Sequence, residues 1–209
     1  MGSRSAEPCR ARGAARVWRH LLVVLISCSL LRTSSAPAQG NRPVPDGRVT
    51  SGTLSFDGRA TAGDFVGTTT TVSGQLTGAP DLTGVRGWVE APVKTLKTGD
   101  RRRDKDLNKS MESDKYPVLR FDLARISRTG GGGDSLGVVL HGALALHGVT
   151  RDVDLPGTIQ FSGSSARVRT QFPLNLKDYR IGGLSKLLGM LKMYEDTQVH
   201  GDIVFALGQ

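Results

Sequence analysis

Cysteine is almost missing from this 209-residue chain; the two present, Cys9 and Cys28, both lie near the N-terminus. From residue 29 onward the sequence offers no disulfide, no thiol nucleophile and no cysteine-based zinc site. Aromatic residues make up only 5 % of the chain, and there are four histidines. The most apolar run, Leu21 to Leu31, is too short for a bilayer-spanning helix, which needs about 20 apolar residues. Metalloprotease (H-E-x-x-H) and β-lactamase-type (S-x-x-K) patterns do not occur, and the single serine-hydrolase-type G-x-S-x-G match, Gly133 to Gly137, follows a glycine run rather than the strand that a nucleophile elbow needs. The glycine run Gly130 to Gly133 is not followed by Lys-Ser/Thr, so it reads as a turn rather than a phosphate loop. His141 and His147 are six apart, which on one strand separates them by roughly 20 Å, too far to share a metal. These absences argue against an enzyme and imply neither cofactor nor metal.

What is present begins with a basic N-terminus. Arg4, Arg10, Arg12, Arg16 and Arg19 precede "LLVVLISCSLL", and small residues follow up to Ala36-Pro37-Ala38. Those are the parts of a secretory signal peptide, expected to be cleaved after Ala38 and to deliver a periplasmic or secreted protein. Two alternatives stay open: a lipoprotein modified at Cys28 of "LISC", and an anchor that is retained. Val17 is a second candidate start. Residues 1–38 hold six Arg and one Glu; removing them from 28 Lys+Arg and 19 Asp+Glu leaves 22 and 18, a net charge of +4. The high overall basicity therefore lies largely in the leader, which argues against nucleic acid as a partner.

Residues 39–47, "QGNRPVPDG", read as a flexible lead-in, and residues 48–209 as one domain. Period-two alternation dominates that domain. Val66, Thr68, Thr70, Val72, Gly74 and Leu76 form one face; Val85, Gly87, Val89, Ala91 and Val93 another. Leu119, Phe121 and Leu123 alternate with charges. So do Leu136 to Leu146, Val153 to Phe161, Val168 with Phe172, and Val199 to Leu207. About eight strands, each with one apolar face, fit either a sandwich or a closed antiparallel barrel; short turns favour an up-and-down order. Eight strands is also the size at which a barrel interior can hold one small ligand. Small inward residues (Gly74, Gly87, Ala91, Gly142, Gly157, Gly201) either leave room there or relieve strand coiling.

Two segments break the β pattern. In "DLNKSMESDKYPVLRFDL", Leu107 and Met111 share a helical face just before Pro117, and a short helix over 104–113 is expected to lie across a barrel mouth. "GGLSKLLGML" places Leu184, Leu187, Leu188 and Leu191 at helical spacing. Arg101, Arg102 and Arg103 read as a solvated charge run, or as a site for an anionic head group.

From Val49 to Leu207 the chain resembles the YceI-like family of lipid- and polyisoprenoid-binding domains. The resemblance is carried by "FDGRATAGDFVGTTTTVSGQL", "LKTGDRRRDKDLNKSMESDKYPVLRF", "LHGALALHGVTRDVDL" and the closing "FPLNLKDYRIGGLSKLLGMLKMYEDTQVHGDIVF". Its strongest motifs are Arg103-Asp104, Lys115-Tyr116-Pro117 and Gly148-Val149-Thr150-Arg151. It implies an all-β, lipocalin-like barrel with one or two short helices, whose pore holds an isoprenoid, a quinone or another lipid. Leu107, Met111, Phe121, Leu144, Ile159, Leu184, Leu188 and Phe205 are the expected lining. The chain departs from the family in lacking a paired Phe near Ser110-Met111-Glu112, so ligand size is not carried over. A carrier or sequestering protein is the first reading, with transient contact with a membrane surface compatible with it. A filled-core structural or interaction barrel is the second, and an enzyme acting on isoprenoids the third.

Overall fold

Alternating apolar residues leave each strand with a face that needs a partner, and here the sheet supplies it by closing on itself. A computed structural model of the chain describes residues 43–61, 63–182, 185–186, 191–192 and 194–208. Its main strands are β1 (Gly47–Gly58), β2 (Phe65–Thr69), β3 (Ser73–Thr77), β4 (Arg86–Pro92), β5 (Val118–Gly132), β6 (Ser135–Leu146), β7 (Val149–Ser162) and β8 (Ser165–Asn175). The short pair β9 (Ser185–Lys186) and β10 (Leu191–Lys192) and the closing strand β11 (Asp196–Leu207) follow. Neighbours run antiparallel from β3 through β4, β5, β6, β7 and β8 to β11, and β11 pairs back onto β1. On its other edge β1 carries β2 and β3 in a single register, Leu54 opposite Thr69 and Gly47 opposite Leu76. These two strands are thus halves of one wall strand broken at residues 70–72, and the result is an eight-stranded closed barrel.

The break corrects one expected face. Gly67 and Thr69 are buried and Val66 is 53 % exposed, whereas in β3 it is Gly74 and Leu76 that turn inward. Alternation flips between the two halves. The facing strand flips with it, because the β1–β11 register shifts between Val49 and Ser51. A β-bulge of this kind reverses which residues face in while keeping the ladder aligned on both sides of it. Elsewhere the inward sets follow the sequence: in β6 every second residue from Leu136 to Leu146 is buried.

The inward glycines mostly do not leave room. Phe121 from β5 lies against Gly142 on β6, so the missing side chain is replaced by a phenyl ring. Gly74, Gly87 and Gly157 face neighbouring backbone at close range, as strand coiling requires.

The two barrel ends are built differently. At one, Val44 pairs with Ala79, and the 3-10 turn Leu82–Gly84, capped by Asp81, leads into buried Val85. Residues 44–46, read from the sequence as flexible, are held there: Asp46 accepts the Gly78 N–H and the Gly208 N–H. At the other end β1, β4, β6 and β8 finish, and helix α1 (Arg101–Ser110) crosses. The helix starts three residues before its expected position because the Asp100 side chain accepts the N–H groups of Arg102 and Arg103. It stops at Ser110, and Glu112 with φ 43° turns the chain toward β5. In the stretch read as a second helix, Ser185–Lys186 pairs antiparallel with Leu191–Lys192. Leu184 and Leu188 lie outside the described residues.

Candidate functional site

The inward faces enclose a cavity of about 210 Å³ inside the barrel, below α1. It is larger than the ~150 Å³ apolar cavity that stays dry and takes up a benzene-sized guest. Phe121, Leu144, Ile159 and Phe205 come from four walls, and Leu107 and Met111 from the helix; all six contribute to its lining. Ser55, Ser110, Thr170 and Thr197 are the few hydroxyl residues among an otherwise apolar set. No carboxylate, amine, guanidinium or imidazole is part of this lining. Such a surface offers dispersion contacts along its whole length and no ionic partner, so it selects hydrocarbon. Of the six glycines and alanines expected to make space, Gly201 alone belongs to the lining.

The helix is fastened at both ends by the motifs the sequence singled out. At its start the Asp104 carboxylate accepts the Thr98 N–H (2.8 Å) and the Thr98 hydroxyl (2.7 Å). The hydroxyl bond holds the Asp104 carboxyl below the usual aspartate range, with the backbone N–H adding to it. Arg103 donates to the Thr98 carbonyl at 2.9 Å and lays its guanidinium over the Phe65 ring, 4.3 Å from the centroid. Arg103 and Asp104 are therefore fasteners between α1 and the barrel rim, and the reading of Arg103 as one of a solvated run is corrected.

At the other end the Tyr116 and Gly148 motifs meet. Leu146 and Val149 are joined by the two-residue turn His147-Gly148, both with positive φ (52° and 73°), the geometry that suits a tight hairpin. The Tyr116 ring occupies the space a Gly148 side chain would fill and packs edge-on to His147, with centroids 4.9 Å apart. His147 is buried; its Nδ1 donates to the Tyr179 carbonyl at 3.0 Å, and its Nε2 lies 3.4 Å from Glu112. His147 thus sits in a turn, and the strand face that it was expected to share with His141 ends before it. Phe65, His147 and Tyr179 were not legible as parts of this site, because each acts on a partner distant in sequence; Thr98, six residues before Asp104, carries no pattern that marks its bond.

On the outer wall, His141 bridges Asp154 (2.6 Å) and Ser127 Oγ (2.9 Å) across three adjacent strands. The order resembles a serine-hydrolase relay, but none of the three residues belongs to the cavity lining. They form a cross-strand polar ladder on the barrel surface. Among the described residues no group of His, Cys, Asp and Glu is placed to hold a metal ion.

Comparison with known proteins agrees with this geometry. No match is found among curated proteins. Among solved structures, a polyisoprenoid binding domain from Saccharophagus degradans superposes with a TM-score of 0.63 at 15 % identity, covering 79 % of this chain and 99 % of that one. BcnA of Burkholderia cenocepacia superposes with a TM-score of 0.60 at 16 % identity, covering 73 % and 95 %. At such identities the likeness speaks for the fold. The family model of the YceI-like domain matches residues 48–205, the span of the closed barrel, and the chain belongs to the YceI-like domain family.

Proposed function

We propose that this protein binds a long apolar molecule (a polyisoprenoid, a quinone tail or a fatty-acid-like chain) in the barrel pore and carries or sequesters it. The observation that supports this reading most is the cavity itself, almost wholly apolar in its lining and with a separately fastened helix across one end. A filled core would have no need of such space, since interiors close-pack wherever they can. Its volume is below the roughly 300–1,000 Å³ typical of pockets for drug-sized ligands. A long chain would therefore shift Leu107 and Met111 or continue past the mouth. The polyisoprenoid binding reported for the structural relative from Saccharophagus degradans points the same way.

Organic extraction of the purified protein, followed by mass spectrometry, tests the reading. A co-purifying lipid at near-stoichiometric amount is the expected result. A clean extract from folded protein that also ignores polyisoprenoid and fatty-acid probes would favour the filled-core interaction barrel. The site of action proposed is the periplasm or the exterior, with the chain cleaved after Ala38. Intact mass of the exported form checks this, and a diacylglyceryl group on Cys28 would overturn it.

A further inference from the structure

We propose that the helix-bearing end of the barrel docks on a bilayer rich in anionic head groups, α1 lying between membrane and cavity. The proposal rests on the carrier reading only for its purpose, since the surface stands on its own features. Among the described residues three large hydrophobics are exposed: Val66 (53 %), Tyr194 (51 %) and Val118 (39 %). All three lie at this one end. Val66 is the second residue of β2, and Val118 begins β5 opposite Pro92. The Tyr194 N–H bonds to the Arg59 carbonyl, one residue past the end of β1.

At the corner nearest Val66 basic side chains outnumber acids. Exposed Arg59, Lys97, Arg101, Arg102, Lys105 and Lys109 surround the corner formed by β1, β2 and α1. Contacts tie this corner together: Gly58 pairs with Phe65, Arg103 stacks on Phe65, and Thr68 exchanges two backbone bonds with Lys97. Acids of the same rim are turned to structural use. Asp100 caps the helix, Asp104 bonds Thr98, Asp114 pairs with Lys94, and Asp57 bonds His200. They keep their charge; Asp64 and Asp106 also oppose the basic set, while Glu195 and Asp196 beside Tyr194 meet Lys177 and Asn175. Basic side chains with interspersed apolar ones fit a negatively charged lipid surface, which supplies counter-charge and an apolar layer just beneath it. The same helix presents Leu107 and Met111 to the cavity and Lys105 and Lys109 to the outside. A docked lid would thus open toward the phase from which an apolar chain is drawn.

An environment-sensitive fluorophore on Tyr194→Cys or Val66→Cys, in the chain that starts at Gln39 and so has no other cysteine, reads docking at the site itself. The probe surface is phosphatidylcholine vesicles with or without phosphatidylglycerol. Labels at 194 and 66 should blue-shift with the anionic vesicles, and a label on Arg128→Cys, at the far end of β5, should not. Lys105→Gln and Lys109→Gln should each weaken the titration by roughly fivefold, and added salt should weaken it further. A shift of equal size at 128, or an equal response to vesicles without phosphatidylglycerol, overturns the proposal. Polyisoprenoid-probe binding is measured on the same samples without vesicles. Probe uptake without docking would sink only the membrane surface, and docking without uptake only the carrier reading.

Discussion

Gly148 shows how much one residue can hold. Its φ of 73° is open to glycine at no steric cost, and the Tyr116 ring sits where any side chain would begin. Gly148→Ala should destabilise the barrel by about 1–2 kcal/mol from the backbone alone, and should also push Tyr116 off His147. A denaturation midpoint lowered together with a changed Tyr116 environment is the expected result; an unchanged midpoint would show that the turn relaxes freely. Arg103 makes a related point about side-chain shape. A lysine would keep the charge but lose the planar stack on Phe65 and the directed bond to Thr98. The sequence marks Gly148 and Arg103 as motif residues, and their partners become visible only in the folded chain.

Helix α1 meets the cavity on one side and water on the other. Met111 is buried against the cavity, and Lys109 faces water. Met111→Asp would bury a carboxylate against hydrocarbon, which is costly enough to lift the helix. Faster release of a bound probe and protease sensitivity confined to the helix region should follow, with little change in melting temperature. Lys109→Asp should leave both probe release and melting unchanged; equal effects from the two, or global unfolding from the first, would show that the helix is not a lid. Acid should loosen the same element. Asp100 is held below the usual aspartate range by the N–H groups of Arg103 and Arg102, and Asp104 by the Thr98 hydroxyl. Carboxylates lowered in the folded state stabilise it above the ordinary aspartate pKa, and that contribution disappears as pH falls through the lowered value. Below about pH 4, proteolysis near residues 97–104 should rise before the strands unfold, and Asp104→Asn should abolish much of that pH dependence.

At the scale of the whole molecule the question is whether the barrel interior is a pore or a core. Leu144 projects into the cavity from β6, a strand paired along its length on both sides. Leu144→Trp should fill the space and block uptake of a polyisoprenoid or fatty-acid probe, with circular dichroism unchanged. If the position is close-packed instead, overpacking should cost about 1–3 kcal/mol and appear as a lowered melting temperature. The closed barrel also explains how the molecule tolerates so much β structure. Pairing of β11 with β1 ties the first and last long strands of the wall to each other, so neither offers that edge to another chain.

Alternation alone was enough to establish strands β4 to β8 and β11, their inward faces and the all-β class, because a period of two is a local property of the chain. Met111 and Leu107 were legible as a lid face for the same reason, their spacing being that of one helical turn. The tertiary structure decided whatever depends on residues far apart in sequence. It closed β11 onto β1 and so chose a barrel over a sandwich. It placed a bulge near Thr50 and a break at 70–72, reversing the face of β2 and exposing Val66. It laid Phe121 over Gly142, turning an expected gap into packed wall. It also brought Arg103 to Phe65 and Tyr116 to Gly148. A side chain's direction repeats along a strand and can be read locally. Closure, bulges and fasteners arise from the balance of contacts between strands, which no single segment contains.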